Sequence, residues 1–207
     1  MTKAWFAGMC IALGAIGFQS APTKAVGAAI FPIGLILIYY LGGDLFTGKN
    51  LLLMNVYKGE LSPKVMVKRL AFVWLGNLVG AVTIGGLVNL TDFIPTAEQA
   101  LLKADQSPLD LIIKGVLCNI CVCLAVYFAG RSKNHLLRLT ALFLPVCLFV
   151  LCGFEHCVAD MYYLSATGMG VVSPEFWYVQ LFSLIGNLIG GLGIASVLYV
   201  LEGDKAK

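Results

Sequence analysis

A 207-residue chain that is 59% hydrophobic and only 12% charged, with a mean hydropathy of +0.89, has too few polar side chains to coat a water-soluble globule. The net charge of +3 is spread over loops, and no basic run is dense enough to indicate nucleic acid. The composition is that of an integral membrane protein.

Apolar runs of about 20 residues, enough to cross a ~30 Å hydrocarbon core, predict six spans in one domain covering 1–207. The first, Ala4 to Ser20, begins almost at Met1 and leads into further spans rather than a small-residue cleavage site, so it is not read as a signal peptide. The second, Val26 to Asp44, contains Pro32 and runs into GGDLFTG at Gly42 to Gly48. The third, Leu70 to Leu90, carries WLGNLVG, and the fourth is Leu109 to Phe128. The fifth, Leu139 to Gly153, contains Pro145 and continues through GFEHCVADM; the sixth, Trp177 to Leu201, carries SLIGNLIGG. Lys58, Lys64, Lys68 and Arg69 precede span three, while Arg131, Lys133 and Arg138 precede span five. With Lys3, Lys205 and Lys207 they outnumber Lys24, Lys103 and Lys114 on the other side, which predicts a multi-pass cell-membrane protein with both termini cytoplasmic. The cysteines fall mostly in apolar runs without zinc spacing, and neither metal nor cofactor is expected.

The chain repeats itself. Gly76-Asn77 matches Gly186-Asn187 at an offset of 110 residues, and the same shift puts Gly43 on Gly153. Two halves of three spans each, about 1–95 and 105–207, predict an inverted 3+3 repeat with two interrupted helices. Non-helical backbone at mid-depth implies a cavity there. The half-helices restarting after Phe46 and Phe154 would turn free N–H groups toward the membrane centre, which favours an anion, and would deliver Thr47 and His156 to matching positions. Ionisable groups at that depth are costly and mark functional sites, which singles out Glu155 and His156. The Gly-Asn motifs of spans three and six read as helix-packing seams.

GGDLFTG, GNLVG, GVLCNICVCLAVY, GFEHCVADM, SPEFW and GNLIGG, in that order along nearly the whole chain, resemble the formate/nitrite transporter family. That resemblance implies an all-α, aquaporin-like fold, a homopentamer with a pore in each protomer, and passage of small monovalent anions such as formate, nitrite or hydrosulfide. By position it implies that Thr47, His156 and Asn119 line the pore, with Lys103 at the outer vestibule. Leu35, Phe46, Val122 and Phe149 fall where the family has apolar constrictions, with Leu35 and Phe149 on one side and Phe46 and Val122 nearby. Family members usually carry an amphipathic cytoplasmic helix ahead of span one, whereas this sequence starts three residues ahead of Ala4.

In this reading dry collars exclude large or multivalent ions, and His156, with an ordinary pKa of about 6.5, protonates the anion transiently or donates a hydrogen bond to it. Gly43 and Gly153 shape the breaks, and Glu155 supports its loop by pairing with Asn119 or a backbone N–H. Lys49 attracts anions or snorkels to the interface, and Lys103 is a vestibule cation or a solvated lysine. A channel for a small neutral solute is the alternative, although the paired Asn-Pro-Ala signature of aquaporins is absent. An enzyme using His156 as base for Ser183 or Ser196 has no nucleophile motif behind it.

Overall fold

The computed structural model describes residues 1–91, 93 and 98–205, and among these the chain is built from helices without strands. Helix α1 (Thr2–Gln19) starts on the Met1 carbonyl and ends where the Ser20 N–H and hydroxyl both donate to the Ile16 carbonyl, at 2.9 and 2.8 Å. Helix α2 (Lys24–Ile30) is capped by Thr23, whose hydroxyl accepts the Val26 N–H, and α3 (Ile33–Leu41) follows across Phe31 and Pro32. The proline has no N–H to continue the ladder, and the two helices divide there. Short helices α4 (Phe46–Lys49) and α5 (Leu52–Tyr57) complete the first break.

Helix α6 (Pro63–Val88) precedes α7 (Glu98–Ala104) and α8 (Pro108–Arg131). Ser62 and Ser107 cap α6 and α8, each followed by a proline at the first helical position, where no N–H is needed. Helix α9 (His135–Cys152) leads through the second break to α10 (Cys157–Ser165), and α11 (Pro174–Lys205) closes the bundle. Pro145 lies within an undivided α9: its missing N–H leaves one carbonyl free, and the ladder resumes on either side.

Among the described residues five segments are long and apolar enough to cross a membrane, namely Lys24–Leu41, Pro63–Val88, Pro108–Arg131, His135–Cys152 and Pro174–Gly203, so the chain is a multi-pass membrane protein. The expected first span differs from these. Helix α1, 18 residues with Lys3 and Gln19 near its ends, is not one of the five, although it packs closely along α6.

Helices α1 with α6 and α8 with α11 are the most closely packed pairs. A Cβ on Gly80 would stand 2.0 Å from the Trp5 carbonyl oxygen, and one on Gly190 would stand 2.2 Å from that of Val116. Backbone therefore lies against backbone along both seams, as the Gly-Asn motifs predicted.

Candidate functional site

Helices α3 and α9 end in the same way, on a glycine in the left-handed region: Gly42 at φ 72° and Gly153 at φ 72°. The following amide reaches back five residues, Gly43 N–H to the Ile38 carbonyl at 2.8 Å and Phe154 N–H to that of Phe149 at 2.9 Å. The counterpart of Gly153 is therefore Gly42 rather than Gly43. Two consecutive glycines satisfy the sequence pattern equally, and only the reach-back bond separates them. In this register Thr47 and His156 do not hold matching positions. Thr47 is the second residue of α4, whereas His156 is the cap residue before α10.

The restarting helices do not open on free amides. Asn77 Oδ1 accepts the Phe46 N–H at 2.8 Å, while its amide donates to the carbonyls of Ala4 (2.7 Å) and Asp44 (2.9 Å). Asn187 does the same for the second break, accepting the Cys157 N–H at 3.0 Å and donating to Gly115 (2.9 Å) and Glu155 (2.8 Å). These asparagines, read from sequence as parts of a packing seam, are the braces of both breaks. Their equal position in the two halves was the available signal.

Thr47 and His156 come together across the fold, with Oγ1 and Nε2 3.0 Å apart and both side chains buried. The Ala159 N–H donates to His156 Nδ1 at 3.1 Å, which assigns the proton of the neutral ring to Nε2, facing Thr47. Phe149 stacks over the imidazole at 5.8 Å between centroids, and Phe31 meets Phe149 edge-on, also at 5.8 Å. Phe31 was missed in the sequence, although it lies one helical turn ahead of Leu35.

Two cavities approach this pair. The larger, about 750 Å³, is bordered by His156, Phe149, Gly153, Phe31 and the lysines Lys24, Lys103 and Lys114. The smaller, about 280 Å³, is bordered by Leu35, Gly43, Lys49 and Val126. Phe46, Thr47 and Val122 are buried and border neither of the two.

Three predicted side chains are engaged otherwise than expected. Asn119 donates to the Asn187 carbonyl at 2.6 Å, tying α8 to α11, and borders neither cavity. Glu155 does not pair with Asn119: its carboxylate takes Gln106 Nε2 at 2.7 Å and Lys103 Nζ. Lys103 is no solvated surface lysine, since its ammonium also stands 2.8 Å from Asp160 Oδ1. Burial opposes the Lys103 charge, but Asp160 and Glu155 outweigh it and hold the ammonium well above its ordinary value. Lys114 donates to Gln106 Oε1 at 2.5 Å. Lys24 has no carboxylate partner among the described residues, and its Nζ lies 3.6 Å from where a Cβ on Gly153 would stand. At the smaller cavity Lys49 pairs with Asp44 at 2.7 Å. Among the described residues neither serine considered as a nucleophile is joined to His156: Ser196 meets Tyr57 at 2.8 Å, and Ser183 is buried with no hydrogen-bond partner.

The profile of the formate/nitrite transporter family matches residues 1–201. An uncharacterized transporter of Bacillus subtilis, YrhG, is 33% identical over 200 residues, covering 88% of this chain and 73% of that protein. The formate channel FocA of Escherichia coli is 32% identical, over 87% of this chain and 76% of its own length. Among solved structures, an ion channel of the same family superposes with a TM-score of 0.88 at 28% identity, covering 97% of this chain and 88% of its own. A pentameric formate channel with formate bound gives 0.80 at 26% identity, over 96% and 94% of the two chains.

Proposed function

Because the chain belongs to the formate/nitrite transporter family, we propose that it passes small monovalent anions of weak acids, formate foremost, across the cell membrane. The observation that carries this reading is the buried Thr47–His156 pair, 3.0 Å apart, with His156 on the wall of the larger cavity. Nitrite and hydrosulfide have the same charge and comparable size, and the same donors suit them. The relatives named as formate channels, and the pentameric one holding formate, support formate as cargo and a homopentamer as the assembly. The matched breaks support an inverted repeat within one channel domain.

The distribution of lysines supports an orientation. Lys24, Lys103 and Lys114 border the larger cavity, whereas the denser set of basic residues lies in the loops ahead of α6 and α9. The larger cavity then faces outward and both termini face the cytoplasm. An entering anion meets Phe149 and Phe31, sheds water, and is met by two donors, the Thr47 hydroxyl and His156 Nε2–H. Hydrogen bonds to a charged acceptor are about twice as strong as neutral ones, which offsets part of the cost of desolvating the ion. Leu35, Phe46 and Val122 complete the apolar stretch, so binding stays brief and only small ions fit. The ring has one proton, on Nε2, and serves as a hydrogen-bond donor; protonating the anion requires a proton from elsewhere on its route.

Flux into proteoliposomes tests the reading. Saturable uptake of formate, nitrite or hydrosulfide well above protein-free vesicles is expected, and equal leakage with and without protein for all three would sink it. Recruitment is assigned to Lys24, an exposed lysine at the larger cavity with no carboxylate partner among the described residues. Lys24→Gln is expected to raise the half-saturating formate concentration about threefold at low ionic strength, fading near ~0.15 M salt, with maximal flux unchanged. An unaltered concentration dependence at low salt would count against that role.

A further inference from the structure

We propose that Asp160 is a proton-exchange site on the wall of the larger cavity, giving a proton to the anion on entry and recovering one from cavity water. The inference rests on the anion-conducting reading of the same route. Asp160 is fully buried yet borders the cavity, and its Oδ1 lies 2.8 Å from Lys103 Nζ. Neither Asp160 oxygen accepts a hydrogen bond among the described residues, and Oδ2 lacks even the ion-pair contact that Oδ1 has with Lys103. The Glu155 carboxylate, by contrast, is engaged at both oxygens, Oε1 by Gln106 and Oε2 by Lys103.

Charge balance makes the case. Two carboxylates, Glu155 and the fully buried Asp160, converge on the single ammonium of Lys103, so one carboxylate charge at that contact has no cation of its own. An uncompensated buried charge is strongly unfavourable, and one proton removes it. Oδ2 is the oxygen free to hold that proton. Among the described residues Lys103 is the one cation paired with Asp160; Lys24 and Lys114 border the same cavity without an ion pair to it. Tyr163 lies beneath Lys103 at 5.4 Å. His156 caps the same helix and turns its Nδ1 to Ala159, while Tyr178 of α11 donates to the Gln106 carbonyl. Lys114 is one residue removed, on Gln106.

The transfer balances with formate as the acceptor. The Oδ2–H bond breaks, an O–H bond forms on a formate oxygen, and the bonding pair stays on Asp160, whose charge Lys103 then holds. Neutral formic acid crosses the apolar stretch at lower desolvation cost than the anion and ionises in water beyond it. Asp160 takes a replacement proton from the cavity. His156 keeps its hydrogen-bond role throughout.

Infrared difference spectra and transport on the full chain test this together. Wild-type protein in membranes at neutral pH is expected to carry a protonated-carboxyl carbonyl band that shifts in heavy water and is lost in Asp160→Asn. In proteoliposomes with an internal pH dye, Asp160→Asn is expected to slow formate-driven acidification, corrected for protein-free leak, by about a hundredfold. Asp160→Glu, which keeps the carboxyl, is expected to retain it. Absence of the band from wild type, its survival in Asp160→Asn, or unchanged acidification in that variant would each overturn the inference. The band is read on wild type, so a variant that fails to fold does not protect the claim. Wild-type vesicles without anion flux would overturn the anion-conducting reading, whereas wild-type flux with unchanged acidification in Asp160→Asn would overturn this inference alone.

Discussion

Replacing Asn187 with alanine is expected to unfold the second break and cost about 3–5 kcal/mol, because three buried backbone groups lose their partners together. Those groups are the Cys157 N–H and the carbonyls of Gly115 and Glu155, and the bundle interior offers them no water. The loss of Asn187 also releases Glu155, and with it the ion cluster on Lys103 and Asp160. Ser183 is the internal control. It is equally buried on the same helix but has no hydrogen-bond partner, so Ser183→Ala is expected within about 0.5 kcal/mol of wild type. Thermal unfolding of the purified protein in detergent measures both. Similar melting temperatures for Asn187→Ala and Ser183→Ala would show that the asparagine is packing material and not a brace.

The second large effect concerns Thr47 and His156. In the proposed mechanism each supplies one donor to the same small ion, so removing either is expected to lower formate flux by about a hundredfold, the scale for losing one well-placed donor. The double variant Thr47→Val/His156→Ala is expected to fall little further, because the two side chains act as a unit. Flux that drops by the product of the single effects would contradict a shared site. His156 also caps α10 through Ala159, so His156→Ala mixes two losses, and the cap alone is worth about 1 kcal/mol. His156→Asn separates them: asparagine is a good cap residue but presents no ring N–H to Thr47. Normal stability with lost flux in His156→Asn would place the effect at Nε2.

Much of the fold was legible because each element announces itself locally. Proline divides α2 from α3, serine followed by proline opens α6 and α8, and glycine ends α3 and α9. Thr47 and His156 were legible through the family motifs that carry them. What escaped the sequence depends on distant partners. Asn77 and Asn187 sit in apolar helices beside packing glycines, and nothing local distinguishes a brace from a seam. Asp160 meets Lys103 only because α7 folds over α10, and a carboxylate one turn past a break has no signature of its own. The one-residue difference between Gly42 and Gly43 was invisible because both are glycine. The six expected spans include α1, which is not among the five strongly apolar segments because Lys3 and Gln19 fall within its 18 residues.

The bracing bonds also fix an order of assembly. Asn77 reaches Phe46 across 31 residues and Asn187 reaches Cys157 across 30, and the seams α1 with α6 and α8 with α11 likewise close within their own halves. Thr47 and His156 are 109 residues apart. During synthesis each half can finish its own bracing as it leaves the insertion machinery, since short-range contacts close ahead of long-range ones. The Thr47–His156 contact requires both halves, so a nascent chain holds a braced first half in the bilayer before that contact can form.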